Sequence, residues 1–275
     1  MLELPETRTL ANQLGAFVVG REIVDVAGPT SPHKWAWFSG DPEAYGPALA
    51  GKRFTDAQAF GMFVEAVAGE QSLIFGDGVN LRLLAPGKAL PPKRQLTVHL
   101  DDGSALVGTV QMYGGLWLAP AGQLDSPYYE TARELPSPLT EAFDRAYFDS
   151  LLAAARPTLS AKALLATEQR IPGLGNGVLQ DILFEAKINP RTKVKQLSDA
   201  DRDRLYSAIK TTLALMTEQG GRDTEKDLLG NPGSYSTVLS AKTVERPCPR
   251  CGSGIVRQAY LGGNVYFCLT CQPLL

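Results

Sequence analysis

The sequence predicts an α+β chain: an N-terminal helix on a β-sandwich or barrel, then a helical second half, then a ribbon held by paired cysteines. Three observations predict it. Apolar residues recur at helical spacing just after Pro5. Short apolar runs alternate with Gly- and Asp-rich turns from Arg21 to Leu118. Two CxxC pairs fall within the last 28 of the 275 residues.

The first element is expected over Pro5 to Val18, with Pro at an early helical position, Glu6 in the first turn, and Leu10, Leu14 and Phe17 on one face. Strands are expected at Glu22-Val26, Met62-Val67, Leu81-Leu84, Leu96-Leu100, Ala105-Val110 and Leu116-Leu118, separated by turns such as Asp101-Asp102-Gly103 and Gly114-Gly115. The chain changes character near Leu124 to Ser137, where Asp, Ser and Pro residues mark a linker. Beyond it, helices are expected at about Thr140-Ala155, Ala161-Leu165, Asn176-Lys187 and Ala200-Glu218. Ser198 and Asp201 cap the last helix and Gly220-Gly221 ends it. Residues 221 to 236 read as a polar loop.

Composition narrows the function classes. No run of roughly 18 or more apolar residues offers a membrane span, and the acidic N-terminus lacks a signal-peptide pattern, so the expectation is a cytoplasmic protein with no membrane partner. Net charge is -2, which taken alone argues against a polyanionic partner. The distribution is uneven, however: residues 1 to 130 hold 9 Lys+Arg against 14 Asp+Glu, and residues 131 to 275 hold 18 against 15. His33 and His99 have no spaced partner and read as structural or surface residues.

Cys248-Pro-Arg-Cys251 and Cys268-Leu-Thr-Cys271 are separated by 16 residues, within the spacing of a four-cysteine zinc site. The intervening residues, Ile255 to Tyr260 and Asn264 to Phe267 around Gly262-Gly263, read as a hairpin that brings the pairs together. Four thiolates on one Zn(2+) leave no open coordination position, so the expected role is structural, one ion per chain. Upstream, Ile171-Pro-Gly-Leu-Gly-Asn-Gly-Val178 joins two helical patterns. Its glycines would let backbone approach a ligand closely, Asn176 suits a helix N-cap, and free N-H groups at such a helix start suit a phosphate.

Taken jointly, the start Glu3-Leu-Pro-Glu6, the run Lys162-Ala-Leu-Leu-x-x-x-Gln169, the turn Gly173-x-Gly-Asn176 and the ending Cys268-x-x-Cys-Gln272 resemble the formamidopyrimidine-DNA glycosylase and endonuclease VIII family. The resemblance implies a β-sandwich domain over 1-128, a linker over 129-138, a helix-two-turns-helix domain over 139-238 and a zinc ribbon over 239-275. Double-stranded DNA, damaged or abasic, would lie in the cleft of a monomer. It further implies DNA contacts for Asn176, Lys162, Gln169, Gly175 and Glu6, and catalytic positions at the N-terminus, Met1, Leu2 and Glu3. In the family an N-terminal proline amine attacks C1' of a flipped nucleotide to form a Schiff base, and the next Glu handles protons.

This chain departs from that pattern. Leu2 occupies the proline position, and its bulk should block removal of Met1 by the usual aminopeptidase rule. The amine then sits one residue too far out, where about 1 Å of misplacement can cost about a hundredfold. Gly61 replaces the family's hairpin lysine and Gly263 its zinc-finger arginine, and neither supplies a phosphate grip. For Glu3 and Glu6, helix-dipole complementarity and a catalytic role both remain open. Two functions survive, a damaged-DNA-binding protein with weak or lost catalysis and an active glycosylase/abasic-site lyase; a zinc-ribbon protein binding RNA or protein is a weaker third.

Overall fold

Helix α1 (Leu4–Phe17) starts where Pro5 presets its first turn, and in the computed structural model, which describes residues 2–76 and 78–275, it buries Leu10, Ala11 and Leu14. Met1 lies outside the described residues. The chain continues through β1 (Ile23–Ala27), β2 (Ala36–Trp37), helix α2 (Tyr45–Leu49), β3 (Phe54–Phe60), β4 (Phe63–Ala68), β5 (Gln71–Phe75), β6 (Val79–Leu84), β7 (Leu96–Leu100), β8 (Ala105–Val110) and β9 (Gly114–Pro120). These form two sheets, ordered β1-β7-β8-β6 and β2-β9-β5-β4-β3. Val98 and Leu106 of the first and Val64, Leu73 and Leu116 of the second share one apolar cluster, which makes the fold a sandwich.

The helical part comprises α3 (Pro127–Glu134), α4 (Arg145–Ala154), α5 (Ala161–Ala166), α6 (Val178–Glu185) and α7 (Asp199–Glu218), followed by the hairpin β10 (Val256–Tyr260) and β11 (Gly263–Phe267). A second core gathers Phe148, Leu164, Leu179, Ile182, Ile209 and Leu213. Helix α1 joins the two cores: its Leu4 packs in the second while Leu10 and Leu14 pack in the first. Ser198 and Asp201 form a reciprocal capping box at the start of α7.

Two readings of this region are corrected. The stretch expected as a linker carries α3, because Tyr129 and Ala132 pack on Phe63 and Ile74 and the Tyr129 hydroxyl donates to buried Glu65 at 2.6 Å. The next helix begins at Arg145, later than expected, because the Asp144 carboxylate accepts the Tyr147 N-H at 2.7 Å and caps it there.

The polar loop 221–236 is a strap between the halves. Leu228 is 0% exposed within the sandwich core, its carbonyl accepts the Leu83 N-H at 2.8 Å, and its own N-H donates to Gln13 Oε1 at 2.8 Å. Burying one leucine in this way contributes roughly 1.5 to 3 kcal/mol.

Candidate functional site

The first turn of α1 runs directly against the glycine turn before α6. The Leu4 N-H donates to the Gly173 carbonyl at 2.8 Å, and the two Glu3 carboxylate oxygens accept the Gly177 and Val178 N-H groups at 2.8 and 2.7 Å. Glu3 thereby satisfies two of the free donors at the start of α6. Asn176 therefore does not cap this helix, contrary to its reading from sequence, and two of the N-H groups expected to suit a phosphate are already taken by a carboxylate of the same chain. The glycines serve that approach: a Cβ on Gly175 would lie 2.7 Å from Glu3 Cδ, and one on Gly177 would lie 1.5 Å from Arg222 Nη1.

Arg222, which follows the glycines ending α7, is the residue the sequence reading missed. Its Nε and Nη2 donate to the two Glu6 oxygens at 2.9 and 2.8 Å, its backbone N-H adds a third bond to Glu6 at 3.1 Å, and its Nη1 lies 3.6 Å from Glu3. Glu3, Glu6 and Arg222 are 1%, 4% and 3% exposed. The sequence did carry one signal, two carboxylates three residues apart on one helix, which burial obliges to find a cation. Glu6 is thus corrected from a DNA contact to the bidentate partner of Arg222.

One guanidinium between two buried carboxylates leaves an excess negative charge. Burial raises the Glu3 carboxyl above its usual range, Arg222 pulls it back, Glu6 raises it further, and the Val178 and Gly177 N-H groups lower it again. Such a carboxyl retains a proton nearer neutral pH than an exposed one and suits proton exchange. Both of its oxygens are already engaged, so a reacting group competes with backbone donors. Leu2, just before it, packs its side chain into the sandwich core at 6% exposure.

The remaining sequence-predicted positions surround this cluster. Asn176 Nδ2 donates to the Asn264 carbonyl at 3.1 Å, while its Oδ1 is buried with no hydrogen-bond partner among the described residues. Gln180 on α6 donates to the same Asn264 carbonyl at 3.1 Å and accepts the Tyr266 N-H at 3.0 Å, fixing the hairpin against α6. Lys162 is 2% exposed and donates to the Tyr260 carbonyl at 2.5 Å, and burial lowers its pKa. Lys162, expected to face phosphate, instead directs its ammonium to the hairpin in this structure and joins α5 to it. Gln169 is half-buried in the turn after α5, where its Oε1 accepts the Gly173 N-H at 3.3 Å.

Gly61 and Gly263 both lie against the glycine turn. Gly61 has φ +52, and a Cβ there would lie 3.0 Å from Pro172 Cβ and 3.1 Å from the Gly173 nitrogen; its carbonyl accepts the Thr7 hydroxyl at 2.8 Å. A Cβ on Gly263 would lie 3.3 Å from Asn176 Cγ. A side chain at Gly61 would have to displace Pro172, Ala132 or the Gly173 backbone, whereas one at Gly263 would need only a few tenths of an ångström from the Asn176 side chain.

The four cysteine sulfurs lie within 4.8 Å of one another, with Cys248 Sγ 3.8 Å from Cys271 Sγ and Cys251 Sγ 3.5 Å from Cys268 Sγ. A tetrahedron with metal-sulfur bonds of about 2.3 Å has edges of about 3.8 Å. The cluster therefore can hold a metal.

The family model for the formamidopyrimidine-DNA glycosylase H2TH domain matches residues 135–227. The formamidopyrimidine-DNA glycosylase of Symbiobacterium thermophilum is 30% identical over 100% of this chain and 90% of its own, and that of Streptococcus pyogenes serotype M6 is 29% identical over 99% and 98%. Among solved structures, MutM (Fpg) from Thermus thermophilus superposes with a TM-score of 0.81 at 26% identity, covering 99% of both chains. Lactococcus lactis Fpg, in complex with DNA containing an abasic site, gives 0.85 at 25% identity, covering 98% of this chain and 99% of its own. With 30% identity across its whole length to one such enzyme, the chain belongs to the formamidopyrimidine-DNA glycosylase family.

Proposed function

We propose that this protein binds damaged or abasic double-stranded DNA as a monomer, with weak or lost base excision. The observation that carries the reading is the packing of Gly61 and Gly263 on the glycine turn, which leaves no cation at the two positions where the family resemblance places phosphate grips. Lys162, the other cation of the resemblance, is turned onto the Tyr260 carbonyl. Without those grips, C1' of a flipped nucleotide is not held against the amine, and a reacting distance of about 3 to 3.5 Å is required for attack. The buried Leu2 side chain adds a second obstacle, since it fixes at the family's proline position a residue whose nitrogen is tied up in the peptide bond to Met1.

DNA contact in this reading falls to the rim of the glycine turn, with Asn176 and Gln169 as neutral donors and acceptors. The ribbon supports that rim. Zinc is the metal that suits four thiolates at these separations, and one ion on Cys248, Cys251, Cys268 and Cys271 would hold β10 and β11 against Asn176 and Gln180. With all four positions filled by sulfur it would bind no water or substrate.

One observation favours the alternative of an active glycosylase or abasic-site lyase: Glu3 keeps a proton-carrying carboxyl at the place where the family's proton carrier belongs. Borohydride trapping decides between them. On 8-oxoguanine, oxidised-pyrimidine and abasic duplexes, the native chain is expected to bind without trapping base-damaged DNA and to trap at most slowly at an abasic aldehyde. Efficient trapping and cleavage of a base-damaged duplex overturns the binding reading in favour of the enzyme. A Leu2→Pro variant that gains trapping identifies the register of the N-terminus as the dominant defect.

A further inference from the structure

A cavity of 590 Å3 lies on the outer face of the β1-β7-β8-β6 sheet, within the roughly 300 to 1,000 Å3 of small-ligand sites. Strand alternation makes its floor. Val79 and Leu81 point into the sandwich core, so Asn80 and Arg82 point outward, and Thr109 on β8 lies across from Asn80. One wall is the strap, which the Leu83 N-H to Leu228 carbonyl bond of 2.8 Å pins beside β6 and which brings Glu225 and Lys226 to the cavity. Gln111, just after β8, adds an amide to the lining.

Arg82 is half-buried on this floor. Its Nη1 donates to the Leu81 carbonyl at 2.6 Å, and neither Arg82 nor Lys226 forms an ion pair among the described residues. Burial lowers the Arg82 pKa, while Asp227 and Glu225 raise it from beyond ion-pairing distance. Asp227 is committed elsewhere, accepting from Gln13 Nε2 at 2.9 Å and from the Leu229 and Asn231 N-H groups at 3.0 and 2.8 Å. A charge drawn out of water is ordinarily paired, because desolvation is costly unless an opposite charge is met. The cavity therefore holds two cations against one carboxylate, with one guanidinium fork fixed on a strand and facing the lining.

Such a fork fits two oxygens of a carboxylate or of a phosphate. The second cation and the neutral donors of Asn80, Gln111 and Thr109 exceed what two carboxylate oxygens can use, and they match the three terminal oxygens of a phosphate monoester. We propose that this cavity binds a phosphate monoester group, with Arg82 as its two-pronged anchor and Lys226 as the second charge. The site is independent of the DNA-binding reading, since a free sugar phosphate carries the same group as the phosphorylated end of a strand. Lys226 lies in the strap that begins with Arg222, so an occupied cavity also ties down the segment holding Glu6.

Ribose 5-phosphate, acetate, and a duplex bearing either a 5′-phosphate or a 5′-hydroxyl are titrated calorimetrically into the native protein, Arg82→Gln and Lys226→Ala, with Tm recorded for each. Ribose 5-phosphate is expected to bind the native protein and raise its Tm. Arg82→Gln should weaken that binding about 10- to 100-fold. Lys226→Ala, on the exposed strap, should weaken it about 2- to 5-fold with the ligand-free Tm unchanged, which keeps the test decisive if Arg82→Gln folds poorly. A duplex that gains affinity from its 5′-phosphate, with the gain lost in Arg82→Gln, identifies a strand end as the source; ribose 5-phosphate binding without that gain identifies a free ester. Acetate binding as tightly as ribose 5-phosphate overturns phosphate as the ligand. Native-like binding in both variants, or no binding of either phosphate-bearing probe, overturns the site. Equal weakening of both duplexes in Arg82→Gln makes the cavity part of a general duplex surface and overturns the monoester assignment.

Discussion

Replacing Arg222 by alanine removes the cation that lies between Glu3 and Glu6 and leaves two carboxylates 1% and 4% exposed without a counter-charge. Removing one partner of a buried ion pair costs about 3 to 5 kcal/mol, because the charge left behind stays desolvated. At roughly 2 to 4 °C per kcal/mol for a chain near this size, the expected loss in Tm is about 6 to 20 °C. The loss must depend on pH. Without the guanidinium the folded carboxyl pair binds a proton more readily than the unfolded chain does, so the variant gains stability as pH falls. The deficit relative to the native protein is therefore larger at pH 8 than at pH 5. Arg222→Lys should recover part of it, since an ammonium supplies charge but not the two-pronged bond to Glu6. Thermal denaturation of the three proteins across that pH range is the assay. A deficit below about 1 kcal/mol, or one that does not vary with pH, refutes the view that Arg222 is the charge holding α1 to the helical half.

Asp181 offers a second pH test: burial pushes its carboxyl up to about 6 from 3.8, although the Val238 and Leu239 N-H groups lower it. Stability should rise as pH falls from 7 through 6 toward 4, by up to about 3 kcal/mol, and Asp181→Asn should flatten that slope in urea unfolding. Elemental analysis should return one zinc per chain, and chelation should expose the β10–β11 amides to hydrogen exchange and weaken DNA binding; unchanged exchange after metal removal would refute the structural role. Asn176→Ala should weaken duplex binding by loosening the hairpin at Asn264 and removing a neutral contact, while the slope of affinity against salt stays unchanged, because no phosphate-bound cation is lost.

Elements whose side chains repeat with one period were legible from the sequence. Leu10 and Leu14 mark α1, the alternation in Leu96–Leu100 marks β7, and the Ser198 and Asp201 cap marks α7 to within a residue. Strand β3 escaped because Phe-Thr-Asp-Ala-Gln-Ala-Phe buries only Phe54 fully and offers no apolar alternation. It is a strand because β4 pairs with it, a tertiary cause that local pattern does not carry. Helix α3 was hidden by its Ser and Pro neighbours, which are a turn signal and a helix start in equal measure.

The site was legible in its parts and not in its connections. The four cysteines announce themselves because spacing along the chain already encodes a tetrahedron. Arg222 does not, since its partner Glu6 is 216 residues away. Glu3 caps a helix 174 residues on, so the glycine turn looks from sequence like an anion site waiting for a phosphate when the anion is supplied by the protein. The same donors and the same glycines serve either ligand, and only the fold decides which one arrives. That choice bears on the proposed function: with a carboxylate on two donors of the helix start and glycines where the family resemblance places cationic grips, fewer groups of this turn are free to meet a phosphate.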